Sequence, residues 1–71
     1  MRNIEITEEY IELYKVLKFE NLVASGGEAK HVIAEGHIRV NGDIETRKRK
    51  KIFPGDVVEL GDITIRILVK A

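Results

Sequence analysis

At Gly36 the hydrophobic rhythm of this chain changes, and the change sets the class of fold open to it. Before Gly36 the apolar residues recur at helical spacing. Tyr10, Leu13, Tyr14 and Leu17 follow i, i+3, i+4, i+7, and Ala29, Val32 and Ile33 share one face. After Gly36 the spacing is two: Ile38 and Val40 alternate with His37 and Arg39, and Ile63, Ile65, Ile67 and Val69 alternate near the C-terminus. A short alternating stretch, Asn3 to Ile6, precedes the helical block. Helical and strand periods in separate blocks predict a small α+β domain, with two N-terminal helices packed on a mainly antiparallel sheet.

Local signals bound the elements. Thr7 has the chemistry of a helix N-cap, Glu8 and Glu9 favour the positive end of the dipole, and Ile6 and Ile11 stand at the two positions of a hydrophobic staple. The first helix is therefore expected from about Glu8 to Lys18, with Phe19, Leu22 and Val23 plugging the core behind it. Ser25-Gly26-Gly27-Glu28 fits a capping box and opens a second helix, about Gly26 to Glu35, closed by Gly36 in a left-handed conformation. Asn41-Gly42 predicts a type I′ hairpin, with Ile44 and Thr46 starting the return strand. Turns at Pro54-Gly55-Asp56 and Gly61-Asp62 frame a strand from Val57 to Leu60, and the last strand is expected to pair with the N-terminal one.

With 71 residues the chain is expected to be a single domain spanning 1–71. A domain of this size buries only about 60% of its unfolded surface, which favours a binding module over a catalytic cleft. Without cysteine there is neither a disulfide framework nor a thiolate metal site. No apolar run approaches the roughly 20 residues of a membrane span. Met1 to Glu9 is charged and lacks the apolar stretch of a signal peptide, so a soluble cytoplasmic monomer is the expectation. Ser25 has no adjacent His to activate it, the acidic residues form no metal-ligand pattern, and His31 and His37 have no metal-ligand company. No catalytic residue, metal or cofactor is expected.

Charge supplies the functional clue. The formal net charge is zero, yet Arg47-Lys48-Arg49-Lys50-Lys51 is an unbroken basic run. Residues 1–28 hold three basic and six acidic side chains, residues 29–51 hold seven and three, and residues 52–71 hold two and three. The middle third is thus a basic island, which its flanks do not cancel beyond a screening length of about 10 Å. Such a run persists if solvent or an anionic partner compensates it, and a polyphosphate is the partner it suits best. Its arginines have the forked geometry that grips phosphate at two points. A solvated loop, or a guard against edge aggregation, explains the run equally on charge alone.

Three segments carry a family resemblance: Ser25-Gly26-Gly27-Glu28-Ala29-Lys30, Gly36-His37-Ile38-Arg39-Val40-Asn41-Gly42, and Pro54-Gly55-Asp56-Val57-Val58. Their order and spacing resemble the S-four RNA-binding domain, named after ribosomal small-subunit protein four, over about Leu13 to Leu60. Leu17-Lys18, Ala29-Lys30 and the basic run after the hairpin resemble more narrowly the stand-alone bacterial members of the YbcJ type. Tyr14 and Gly26 stand where the broader family usually has Asp and Arg. The resemblance implies an alpha-L motif and binding of structured RNA, ribosomal or transfer RNA first, with ribosomal particles as a further partner. With Gly26 in place of that Arg, the broader family's contact at this point is not carried over, and the departure fits the narrower group.

The expected interface gathers Lys18, Gly26, Gly27, Lys30, His31, Arg39 and the run Arg47, Lys48, Arg49, Lys50 and Lys51. Gly26 and Gly27 leave bare N–H groups at a helix start, where phosphate is attracted. They equally suit a loose first turn. Lys18 extends a basic surface or simply favours the helix C-terminus. Arg39 points outward from the sheet, toward RNA or toward water. Tyr10, Tyr14, Phe19 and Phe53 read as core residues, which argues against a base-stacking platform. The alternative function is a protein-interaction adaptor or ribosome-assembly factor with a β-grasp-like sheet.

Overall fold

The structure is a computed structural model that describes residues 1–71. Nine elements follow in order: β1 (Arg2–Ile6), β2 (Ile11–Glu12), α1 (Leu13–Phe19), α2 (Gly26–Ala34), β3 (Ile38–Val40), β4 (Asp43–Ile44), β5 (Lys51–Ile52), β6 (Val57–Leu60) and β7 (Ile63–Val69). The main sheet has the order β1-β7-β6-β3-β4, and β2 pairs with β5 in a separate two-stranded ribbon. All pairings are antiparallel except β1 with β7, which is parallel and places Ile4 beside Ile67. The domain is α+β with two helices, as the two periods require. The helices do not begin the chain: β1 and β2 precede them.

Fourteen aliphatic side chains form one core cluster. Leu13, Val16 and Leu17 of α1 and Ala29 and Ile33 of α2 meet Ile38, Val58, Ile65 and Ile67 from the sheet, all with no exposure. Alternation along each strand does this directly: Ile38 and Val40 point to the helices while Arg39 points away.

The second half of the fold follows its local signals closely. Ser25 Oγ accepts from Glu28 N at 3.1 Å, and the Glu28 carboxylate accepts from Ala24 N at 3.0 Å, one residue before the position an ideal capping box uses. At the other end of α2, Gly36 has φ +82, its N–H reaches Ile33 O, and His37 N reaches Val32 O. That is a Schellman closure. Asn41 and Gly42 have φ of 52 and 91, the positive values a type I′ turn demands. Asn41 also ties two segments together. Its Nδ2 donates to Asp56 Oδ1 at 3.0 Å, Val57 N donates to its Oδ1 at 2.9 Å, and Asp56 Oδ2 accepts from Phe53 N at 2.8 Å.

The first helix departs from its expected span. It starts at Leu13 rather than near Glu8, its N-cap is Glu12, and Thr7 caps nothing. The cause lies forty residues away. Ile11 is claimed by Ile52 in the β2–β5 ribbon, so Ile11 is extended rather than helical. The first helical N–H groups are then taken by main-chain carbonyls of the basic run: Leu13 N donates to Lys50 O at 2.9 Å and Tyr14 N to Lys48 O at 3.1 Å. An N-terminus satisfied in this way needs no side-chain cap. Its C-terminus closes on Asn21, at φ 56, with Leu22 N reaching Leu17 O and Asn21 N reaching Lys18 O.

The aromatic assignment is also corrected. None of the four aromatic residues is buried: Phe19 is 62% exposed, Phe53 is 40% exposed, and Tyr10 and Tyr14 are half-buried. Phe19 therefore plugs nothing, whereas Leu22, Val23 and Tyr14 pack against the core from its margin. Ribbon geometry explains Tyr10 and Phe53. Ile11 and Ile52 face the core, so their neighbours along each strand must face out.

Candidate nucleic-acid interface

Tyr14 is the hub that sequence reasoning missed. Its N–H holds the basic loop through Lys48 O. The Lys30 ammonium lies 4.9 Å from its ring centroid and that of Lys15 lies 6.0 Å away. A Cβ added at Gly26 would sit 3.8 Å from Lys18 Cδ and 3.9 Å from the Tyr14 ring. Lys15, Lys30 and the start of α2 thus approach the Tyr14 side chain, its main-chain N–H holds the basic loop, and Lys18 lies beside Gly26. The helical spacing of Tyr14 marks it as core. The signal that could have singled it out is the lysines at i+1 and i+4.

The two glycines are not demanded by the fold. Their φ values are not positive, and a Cβ at Gly26 or Gly27 would meet only ordinary contacts. What they leave is backbone without side-chain cover at the first turn of α2, with Gly26 half-buried and Gly27 exposed. The Gly26 and Gly27 N–H groups donate to no protein acceptor.

The five cations of the run are not equivalent. Arg47 donates three hydrogen bonds to Glu45: from its backbone N at 3.0 Å, from Nε at 2.9 Å and from Nη2 at 3.0 Å. Arg49 Nε lies 3.8 Å from Glu12, a carboxylate shared with Lys15 at 3.5 Å. Lys51 sits over Tyr10, 4.9 Å from the ring centroid. Lys48 and Lys50 form no ion pair, and neither do Lys18 and Lys30. The fork geometry that recommends Arg47 for phosphate is already occupied by a carboxylate.

The Arg47 side-chain hydrogen bonds hold Glu45 down from 4.5 to about 2. Partial burial opposes them, while the Arg47 backbone N–H and the charges of Arg47 and Lys50 add to them. The same pair raises Arg47 above its ordinary value. Because the folded value lies below the unfolded one, this pair stabilises the fold above about pH 4.5, and that stability is lost as pH falls toward 2. Carboxyl carbon NMR should show Glu45 titrating near pH 2. In Arg47→Ala it should titrate near its ordinary value of 4.5, and an unchanged midpoint would deny the pair.

One expected residue, Arg39, stands apart. Arg39 lies on the sheet face turned away from the helices, paired with Ile44 and Glu59. The sheet separates it from Lys18 and Lys30. His31 is exposed on α2 with Nε2 3.5 Å from Glu35, and His37 shares a depression with Arg39 and Glu59. A separate depression of about 370 Å³ beside β1 is lined by Glu5, Glu8 and Glu12 together with Lys15, Lys70 and Phe19. Its charged lining is of mixed sign, with three carboxylates to two ammonium groups, unlike the all-cationic loop.

The result is a small α+β domain in which a basic loop is pinned to the start of α1, with Lys18 in the last turn of α1 and Lys30 in α2. The S4 domain family model matches residues 4–68, and the chain belongs to that family. It is 41% identical over 59 residues to YbcJ of Escherichia coli (strain K12), covering 83% of this chain and 84% of that one. It is 39% identical over 57 residues, 80% of each chain, to the Bacillus subtilis (strain 168) protein named Probable ribosome maturation protein RlbA. The solution structure of E. coli YbcJ, with an αL motif involved in RNA-binding, superposes with a TM-score of 0.69 at 35% identity, over 96% of this chain and 85% of that one. The 30S ribosomal protein S4e of Thermoplasma acidophilum shares the fold at a TM-score of 0.68 and 22% identity, over 83% of this chain and 31% of that protein. No helix is long and apolar enough to cross a membrane.

Proposed function

We propose that this chain is a single RNA-binding module that holds structured RNA by its phosphate backbone, with ribosomal RNA as the first candidate and transfer RNA as the second. Lys18, Lys30, Lys48, Lys50 and Lys51 form the contact surface, together with the bare backbone at Gly26 and Gly27. Arg47 and Arg49 shape the loop, and Arg39 lies outside the surface. The observation that carries the reading is the pair of main-chain bonds from Leu13 N and Tyr14 N to Lys50 O and Lys48 O. They fix a loop of like charges beside the lysines around Tyr14, a placement that repulsion alone would oppose. Relatives described by RNA binding and by ribosome maturation support the partner class.

Phosphate contacts of this kind supply affinity and position rather than sequence discrimination. The protein acts as a monomer in the cytoplasm and does no chemistry on its partner. If about five phosphates are neutralised, log affinity for a folded ribosomal RNA fragment should fall with log salt at a slope of about −3.5 to −4.5. A flat salt profile, or preferential binding to an acidic protein, would reject the mechanism in favour of a protein-interaction adaptor.

A further inference from the structure

The aromatic residues that left the core stand beside the basic loop. In the β2–β5 ribbon Ile11 opposes Ile52 and Glu12 opposes Lys51. The next residues outward, Tyr10 and Phe53, come together with ring centroids 5.9 Å apart and planes tilted by 49°. Lys51 covers the Tyr10 ring at 4.9 Å. Phe53 is the member left open, at 40% exposure. It joins Arg47, Arg49, Lys50 and Lys51 around a depression of about 480 Å³. Phe53 is the single apolar residue of that lining.

The main chain that carries the ring is also held in place. Phe53 N donates to Asp56 Oδ2, Asp56 Oδ1 accepts from Asn41 Nδ2, and Asn41 is fixed in the hairpin turn. Ile52, one residue before it, is buried. An open aromatic ring on a rigid mount with cations around it has two complementary halves, an apolar face and an anion-binding rim. One nucleotide matches both, with its base on the ring and its phosphate at the lysines. Bases inside a duplex hide their faces in the stack, so only an unpaired base presents one.

We propose that Phe53, backed by Tyr10, is a stacking site for a single unpaired base of the bound RNA, whose phosphate Lys50 and Lys51 hold. This inference rests on the RNA-binding reading and adds the nucleotide that the surface selects. Phe53 offers no side-chain hydrogen bond, so the site selects for an unpaired base and tolerates its identity.

The test compares two RNA duplexes that differ by one unpaired 2-aminopurine. The protein should bind the bulged duplex on the order of tenfold more tightly and shift the 2-aminopurine fluorescence as the base leaves its neighbours. Phe53→Leu keeps the apolar bulk and should lose both the preference and the shift, while its affinity for the paired duplex is retained. Phe53→Trp should restore the preference. Equal, salt-dependent binding of the two duplexes by the unaltered protein would overturn the stacking site and leave RNA binding intact. Retention of preference and shift in Phe53→Leu would also overturn it. Failure to bind either duplex would overturn both readings.

Discussion

Ile52→Ala should destabilise the protein by about 2–5 kcal/mol, read as a shift in its urea midpoint at constant slope. Ile52 is fully buried and is the inward residue of β5, where it opposes Ile11. Removing its branched side chain leaves a cavity between the ribbon and the core. A chain of 71 residues holds a total stability of only about 4–11 kcal/mol, so the loss is a large fraction of the whole. Ile52→Val should cost about 0.5–1.5 kcal/mol. The larger substitution carries a functional consequence as well. The β2–β5 pairing holds the basic loop against α1, so the Ala variant, under conditions where it still folds, should bind RNA more weakly although no charge has changed. Full RNA affinity in a folded Ile52→Ala would mean that the loop needs no mount.

Lys48→Ala with Lys50→Ala should weaken RNA binding roughly 10- to 30-fold near 0.15 M salt, about equally for unrelated structured RNAs. These two are the members of the run with no anionic or aromatic partner inside the protein. Every phosphate that goes without its lysine should flatten the salt slope by about 0.7–0.9. Arg47→Ala is the discriminating control. It removes one unit of charge from the same loop, so association slows through the long-range field. Its guanidinium, however, is already gripped by Glu45, so the salt slope should stay as it was. A slope that flattens in Arg47→Ala by as much as is expected for one lost lysine contact would show that RNA displaces Glu45.

The parts of the fold that can be read from the sequence are those built by neighbours. The Ser25–Glu28 cap, the Gly36 closure and the Asn41-Gly42 turn each depend on residues within a few positions, and the strands Val57–Leu60 and Ile63–Val69 show their own alternation. The β2–β5 ribbon has no such signature. Its strands are two residues each, and only the distant pairing of Ile11 with Ile52 tells Tyr10-Ile11-Glu12 from a helical turn. Without the ribbon, Tyr10 and Phe53 read as core and α1 begins five residues early. The candidate interface divides the same way. Its charge is visible in the run from Arg47 to Lys51, whereas the approach of Lys30 to the Tyr14 ring and of Lys18 to Gly26 arises only where α1 meets α2. Which cations are free is decided by Glu45 and Glu12, and the latter reaches Arg49 only through the fold. The bonds that mount the loop use main-chain carbonyls, which leave no mark on residue identity.

On the proposed reading RNA lies on one face, across the α1–α2 junction and the mounted basic loop. Amide chemical-shift mapping with a folded ribosomal RNA fragment should then show perturbations concentrated at Tyr14, Lys18, Gly26, Gly27, Lys30 and Lys48 to Phe53. None should appear at Arg39, Glu59 and Arg66 on the outer sheet face, nor at Glu5 and Glu8. Perturbations confined to the outer sheet face, with the loop and the α2 start silent, would rule that face out.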